Sequence, residues 1–333
     1  MKFLLALILI FAISVAVYTY NKETTLFFGY ALEGSSITQE QIIQIENSAG
    51  LPAQFVEFYL QWPAADAQDK SPIPLETLSN IWKQDAVPCL TWEPFYLADH
   101  QEKSIPFEAI VQGQYDAYLK AAAGAIEKWS HPLIIRFAHE MNLARYHWGT
   151  EDAQHYDKKN PEIYIAMFRY VVDFFRRHGV KNVLWAFCPN VESLPADTAS
   201  TWNSPEAYYP GDSYVDILGM DGYNWGTSQT VEKNHWKSEW KSFSDIFFPL
   251  YQKLKKLAPD KPIFVFETAS VPQGGNRREW MENAISTSYK WKITAIIWFY
   301  VEKETDWRFS EKALQFKTNK ISSQAWTKAQ IKS

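Results

Sequence analysis

Pro132-Leu-Ile-Ile-Arg-Phe-Ala-His-Glu-Met-Asn142, running on to Trp148-Gly149, is the stretch on which the fold of this chain turns. Leu133 to Phe137 is an apolar, β-branched run interrupted by one arginine, the composition of a strand buried on both faces. Side chains alternate in direction along a strand, so Ile134, Arg136, Ala138 and Glu140 share one face. Glu140 is therefore expected where a buried strand surfaces, beside His139.

The same pattern recurs on either side. Residues 24–32, 55–62, 86–92, 182–188, 215–221, 262–267 and 295–300 read as strands, and helical patterns cover 38–49, 75–84, 107–129, 161–178, 240–257, 277–289 and 311–316. Eight strands alternating with helices predict parallel pairing through right-handed crossovers, and eight is the number that closes a barrel. The expected fold is a single-domain α/β protein, a (β/α)8 TIM barrel, with the catalytic domain over residues 21–333. An open doubly wound sheet is the alternative. It usually carries a glycine-rich first turn, which Gly29-Tyr-Ala-Leu-Glu-Gly34 is not.

With 333 residues, 21% of them charged and 47% hydrophobic, the chain can bury a large core. Its net charge of -5 and the lack of a basic block beyond Lys253-Leu-Lys-Lys256 argue against nucleic acid as a partner. The 15 Trp and 18 Tyr suit either a large core or an aromatic groove for sugar rings. Residues 3–18 form an apolar run behind Lys2, too short to span about 30 Å untilted. Residues 1–20 are expected to be a signal peptide, with Ser14-Val15-Ala16 as a small-x-small cleavage site, or else an N-terminal membrane anchor. Either places the remainder outside. Cys89 and Cys188 fall on strands with one strand between them, roughly 9.6 Å apart and beyond the roughly 7 Å reach of a disulfide, so both are expected as free buried thiols.

Barrel active sites lie at the C-terminal strand ends, which here carry Glu93, His139, Glu140, Asn190, Asp221, Tyr223, Asn224 and Glu267. Glu140 and Glu267 close the fourth and seventh strands and face one another across the mouth. Two such carboxyl groups are the equipment of glycoside hydrolysis, one protonated to expel the leaving sugar and one ionised to attack; a separation of about 5–5.5 Å means retention. Tyr223 shares a face with Asp221 and can bond the nucleophile. Trp298 becomes a sugar platform if its face points inward, and Trp92, Trp148, Trp202 and Trp225 follow strands at the same end. No metal or cofactor is expected. His139-Glu140 lacks the second histidine of a zinc peptidase, since position 143 is Leu143, and His147 and His155 read as solvated loop residues. Neither a Gly-x-Ser-x-Gly elbow nor a phosphate-cradling loop is present.

Arg136-Phe-Ala-His-Glu-Met-Asn142 with Trp148-Gly149, Tyr208-Tyr-Pro-Gly-Asp212, Tyr214-Val-Asp216, Asp221-Gly-Tyr-Asn-Trp-Gly226 and Glu267 together resemble glycoside hydrolase family 26, a (β/α)8 family of endo-β-mannanases, mixed-linkage β-glucanases and some β-xylanases. The resemblance implies Glu140 as acid/base, Glu267 as nucleophile, His139 as neighbour of the acid/base, Tyr223 as partner of the nucleophile and Trp298 as the platform at the cleavage point. The family commonly continues Asn-Gly-x-Trp where this chain has Asn142-Leu-Ala-Arg145, so Arg145 stands where relatives place an aromatic platform. Arg136-Phe-Ala in place of Arg-Pro leans toward the glucanase-like branch. The expectation is an exported, retaining endo-β-glycanase acting on β-linked mannan or mixed-linkage β-glucan. The alternative is a non-catalytic glycan-binding or scaffold protein on the same barrel.

Overall fold

Aromatic and β-branched runs supply the strands β1 (Phe27–Ala31), β2 (Phe55–Gln61), β3 (Val87–Glu93), β6 (Leu133–Phe137), β7 (Val183–Phe187), β8 (Ile217–Asn224), β9 (Ile263–Ser270) and β10 (Ala295–Phe299). All pair in parallel and close in the order β1-β10-β9-β8-β7-β6-β3-β2, each neighbour the next barrel strand in sequence. The computed structural model describes residues 25–69, 72–150, 159–309, 319 and 321–332. The expected leader over 1–20, His155 and the expected helix over 311–316 lie outside the described residues.

Alternation along the strands builds two apolar layers. Phe27, Phe55, Ile134, Leu184, Ile217 and Phe264 fill the barrel interior, whereas Phe28, Phe58, Ile135, Trp185, Leu218 and Val265 face the helices. Cys89 and Cys188 point inward as buried free thiols, with β6 between their strands, as expected. Toward the C-terminal end the interior changes from apolar to ionisable, with Glu57, Thr91, Arg136 and Asp221 all fully buried.

Helix ends follow local chemistry. Thr38 and Gln41 form a capping box ahead of the helix Gln39–Ala49, which Gly50 ends with φ 72. Asn160 caps and Pro161 opens Pro161–Arg177. A capping box at Ser242 starts Phe243–Leu257 three residues after the expected Trp240. The single helix expected over 107–129 is two, Phe107–Val111 and Asp116–Trp129, separated where Gly113 adopts φ 83. An additional antiparallel hairpin, β4 (Phe95–Ala98) and β5 (Gln101–Ser104), rises from the mouth after β3. Asp99 and His100 turn it with φ 52 and 59, a two-residue turn without the glycine that usually announces one.

Candidate active site

The strand β6 ends at Phe137, and two non-glycine residues just beyond it are left-handed: Ala138 at φ 48 and Glu140 at φ 51. Such conformations cost roughly 1–3 kcal/mol each and persist only where the surroundings impose them. Here Ala138 N donates to Trp92 O at 3.1 Å and Glu140 N to Cys188 O at 2.8 Å, tying the turn to both neighbouring strands. The turn lifts Glu140 into the barrel mouth, where its Oε1 accepts from Asn190 Nδ2 at 2.6 Å. Asn142 fixes Asn190 in return, accepting from its backbone N and donating to its carbonyl, both at 2.9 Å.

Glu267 reaches the same mouth by a different device. Phe264 and Phe266 point inward on β9, so strict alternation would turn Glu267 toward the helices. The register slips there instead: Val265 pairs Met220, yet Glu267, not Phe266, pairs Asp221. This β-bulge re-aims the carboxylate along the barrel axis.

A buried network then fixes its charge. The Arg136 guanidinium is bonded to Glu267, to Asp221 and, at 2.6 Å, to Glu57; Thr91 links Arg136 to Glu57. Tyr59 Oη donates to Glu267 Oε1 at 2.8 Å and Tyr223 Oη to Oε2. Burial pushes the Glu267 carboxyl up, but Arg136 and the tyrosine hydroxyls outweigh it and hold it below its ordinary range, ionised. Burial, which Arg136 does not overcome, raises Glu57 to about 8 and Asp221 well above the carboxylate range. One arginine thus serves three buried carboxyl groups, of which Glu267 alone is held below its ordinary range. Glu140 goes the other way from Glu267: burial, then the charge of Glu267, raise it to about 7. His139, Asp221 and Glu267 bring ligand atoms within 4.8 Å of one another, but the cation seated on both carboxylates is Arg136.

Both glutamates line one cavity of about 480 Å3 together with His139, Tyr223, Glu93 and Arg145. Glu93 is raised to about 7 by burial and accepts from Gln61 at 2.6 Å. Arg145 makes a two-pronged ion pair with Glu102 of the hairpin and stacks on Tyr146 at 4.9 Å. His139, kept neutral by burial and the nearby Arg136, has its Nε2 3.1 Å from Tyr146 Oη.

Three expected sugar contacts do not face this cavity. Trp298 is 1% exposed and packs on Trp280 and Phe309, because Ile297 and Phe299 take the inward positions of β10. Trp92 likewise points outward from β3, against Trp62, Tyr118 and Phe137. Trp148 lies buried beneath Tyr146, stacked at 4.2 Å, and donates to His139 O at 2.7 Å; it supports the wall instead of forming it. His147 is no solvated loop residue: it is buried, 3.1 Å from both the N and the O of Ile105. The aromatic face of the cleft comes instead from Tyr146, Phe299, Trp225 and Trp307. Lys159, also unforeseen, is buried and donates to Met141 O and Leu143 O at 2.7 and 2.5 Å, pinning the turn that follows Glu140.

The fold is thus a closed parallel (β/α)8 barrel whose mouth brings two glutamates of oppositely shifted acidity onto one cavity. The family model for glycosyl hydrolase family 26 matches residues 106–244, and the chain belongs to that family. It is 32% identical over 288 residues to Endoglucanase H of Acetivibrio thermocellus, an alignment covering 83% of this chain and 28% of that protein. It is 24% identical over 162 residues to a mannan endo-1,4-beta-mannosidase of Bacillus subtilis, covering 44% and 42%. The chain thus matches under half the length of either relative. Among solved structures, a Bacillus subtilis mannanase superposes with TM-score 0.61 at 18% identity over 85% of this chain and 82% of that one. A β-mannanase from Bacteroides ovatus gives 0.58 at 16%, over 92% and 88%; both are likenesses of fold.

Proposed function

We propose that the protein is a retaining endo-β-glycanase that hydrolyses β-linked mannan or mixed-linkage β-glucan by double displacement, without a cofactor. The observation that supports this is that Glu140 and Glu267 line one cavity with their acidities shifted in opposite directions, Glu140 up by burial and Glu267 down by Arg136 and two tyrosine hydroxyls. The Glu267 carboxylate attacks the anomeric carbon while Glu140 gives its proton to the departing glycosidic oxygen, and the carbon–oxygen bond breaks. Glu140, now ionised, takes a proton from the water that displaces Glu267 and releases the sugar. Arg136, Tyr59 and Tyr223 stabilise the carboxylate as it leaves. The apolar run at residues 3–18 supports export.

Of the substrates, a glucan is favoured by the 83% of the chain aligned with a protein named an endoglucanase. Mannan stays a second reading, since the mannan endo-1,4-beta-mannosidase of Bacillus subtilis aligns with 44%. A reducing-sugar assay on mannan, lichenan, xylan and cellulose decides between them, and no release from any would sink the hydrolase reading. Roles are tested separately. Glu267→Ala should abolish turnover and be rescued by azide with inverted product. Glu140→Ala should keep activity on aryl glycosides whose leaving groups need no proton. Equal loss on every substrate without rescue would mean that these roles are misassigned.

A further inference from the structure

An aromatic series runs from Tyr223 on β8 through Trp307, beyond β10, to Trp225 and Trp236 in the loop after β8. Tyr223, which bonds Glu267, has its ring 4.9 Å from that of Trp307; Trp307 lies 4.7 Å from Trp225, and Trp225 lies 5.7 Å from Trp236. Tyr223, Trp307 and Trp225 line the cavity. Trp236 stands beyond it and is 44% exposed, among the few large apolar side chains left in solvent among the described residues. Isolated exposed apolar residues need no explanation. This one continues a lined cleft, and three features show that it is held out rather than left out.

The helix Val231–Asn234 ends at His235 in a left-handed conformation, φ 63, and the chain reverses there to present Trp236. The loop is stapled at its base: Ser238 N donates to Gln229 O at 3.2 Å, Gln229 N to Ser238 Oγ at 3.1 Å, and Gly226 N and Lys241 N both to Asn224 Oδ1. Trp225 meets Trp236 at 82° between planes, and no hydrogen bond engages the Trp236 indole N–H among the described residues. An indole fixed on a tied-down loop offers a flat apolar surface and a free donor, which together suit the C–H face and a hydroxyl of a neutral pyranose.

We propose that Trp236 forms a distal subsite for a further ring of the same β-glycan chain, past the sugar bonded at Glu267. This rests on the glycanase reading. The test is a chain-length series on wild type, Trp236→Ala and Trp236→Phe, with affinity electrophoresis in gels containing lichenan or glucomannan as a readout independent of turnover. Trp236→Ala should raise KM on polymer and long oligosaccharides by about three- to tenfold, leave kcat and all constants on a short aryl glycoside unchanged, and migrate with less retardation; Trp236→Phe should recover most of the loss. Unchanged KM at every chain length with unchanged retardation would overturn the subsite while leaving the glycanase reading intact. A wild type that neither hydrolyses nor is retarded by any glycan would overturn both.

Discussion

Tyr59 and Glu267 meet through a 2.8 Å hydrogen bond between the second and seventh strands of the barrel, and the phenol donates to the same Oε1 that Arg136 grips. With Tyr223 on Oε2, the carboxylate has a donor on each oxygen. A hydrogen bond to a charged group contributes about 1.5–3 kcal/mol. Tyr59→Phe should therefore lower kcat roughly ten- to a hundredfold. It should also raise the pKa of Glu267. Since Glu267 is proposed to attack in its ionised form, the acid limb of the kcat/KM profile should move to higher pH. An acid limb that stays in place would mean that Tyr59 does not act through Glu267.

On the proposed mechanism the opposite limb belongs to Glu140 as the proton donor, so activity should fall as pH rises through about 7. Asn190 bonds its ionised form and holds that pKa down. Asn190→Ala should move the alkaline limb upward and leave the acid limb alone. Movement of the acid limb instead would assign the two glutamates the wrong way round.

How far the sequence disclosed this site depended on whether strict alternation held. It held along β2, where Glu57, Tyr59 and Gln61 share the inward face of Phe55, so Tyr59 was there to be found once the neighbourhood of Glu267 was in view. It failed at β9, where a bulge that no local residue announces turns Glu267 inward; its place at the end of an apolar run and the family resemblance pointed to the mouth instead. Alternation alone left the direction of Trp298 open, and Ile297 and Phe299 take the inward positions; Trp92 is no loop residue because the strand continues through it to Glu93. The barrel itself was legible because each strand–helix alternation repeats the same apolar contrast. The hairpin Phe95–Ala98 and Gln101–Ser104 was not, lacking any glycine at its turn.

Glu57 supplies a prediction about stability. Its carboxyl, ordinarily near 4.5, is raised to about 8 by burial. The folded state therefore binds more protons than the unfolded one across that window, so this contribution is fully present below pH 4.5 and lost as pH rises toward 8. Glu57→Gln keeps a neutral side chain of the same shape against Arg136 and Thr91. Its denaturation midpoint should decline less than that of wild type between pH 5 and 8. Parallel curves would show Glu57 to be ionised throughout.

Arg145 and Glu102 test whether the hairpin is a wall of the cleft or merely decoration on the fold. Their side chains are 49% and 42% exposed, and an ion pair in such surroundings contributes at most about 1 kcal/mol to stability. Arg145→Ala should accordingly leave the unfolding midpoint nearly unchanged. Yet Arg145 covers the ring of Tyr146 at 4.9 Å and ties down β5, so its loss should loosen one side of the cavity and raise KM on long glycans several-fold, with kcat little altered. Glu102→Ala should give the same KM change, because either substitution releases the same hairpin. If only Arg145→Ala acts, the guanidinium touches the sugar directly; if neither acts, substrate does not run along this wall.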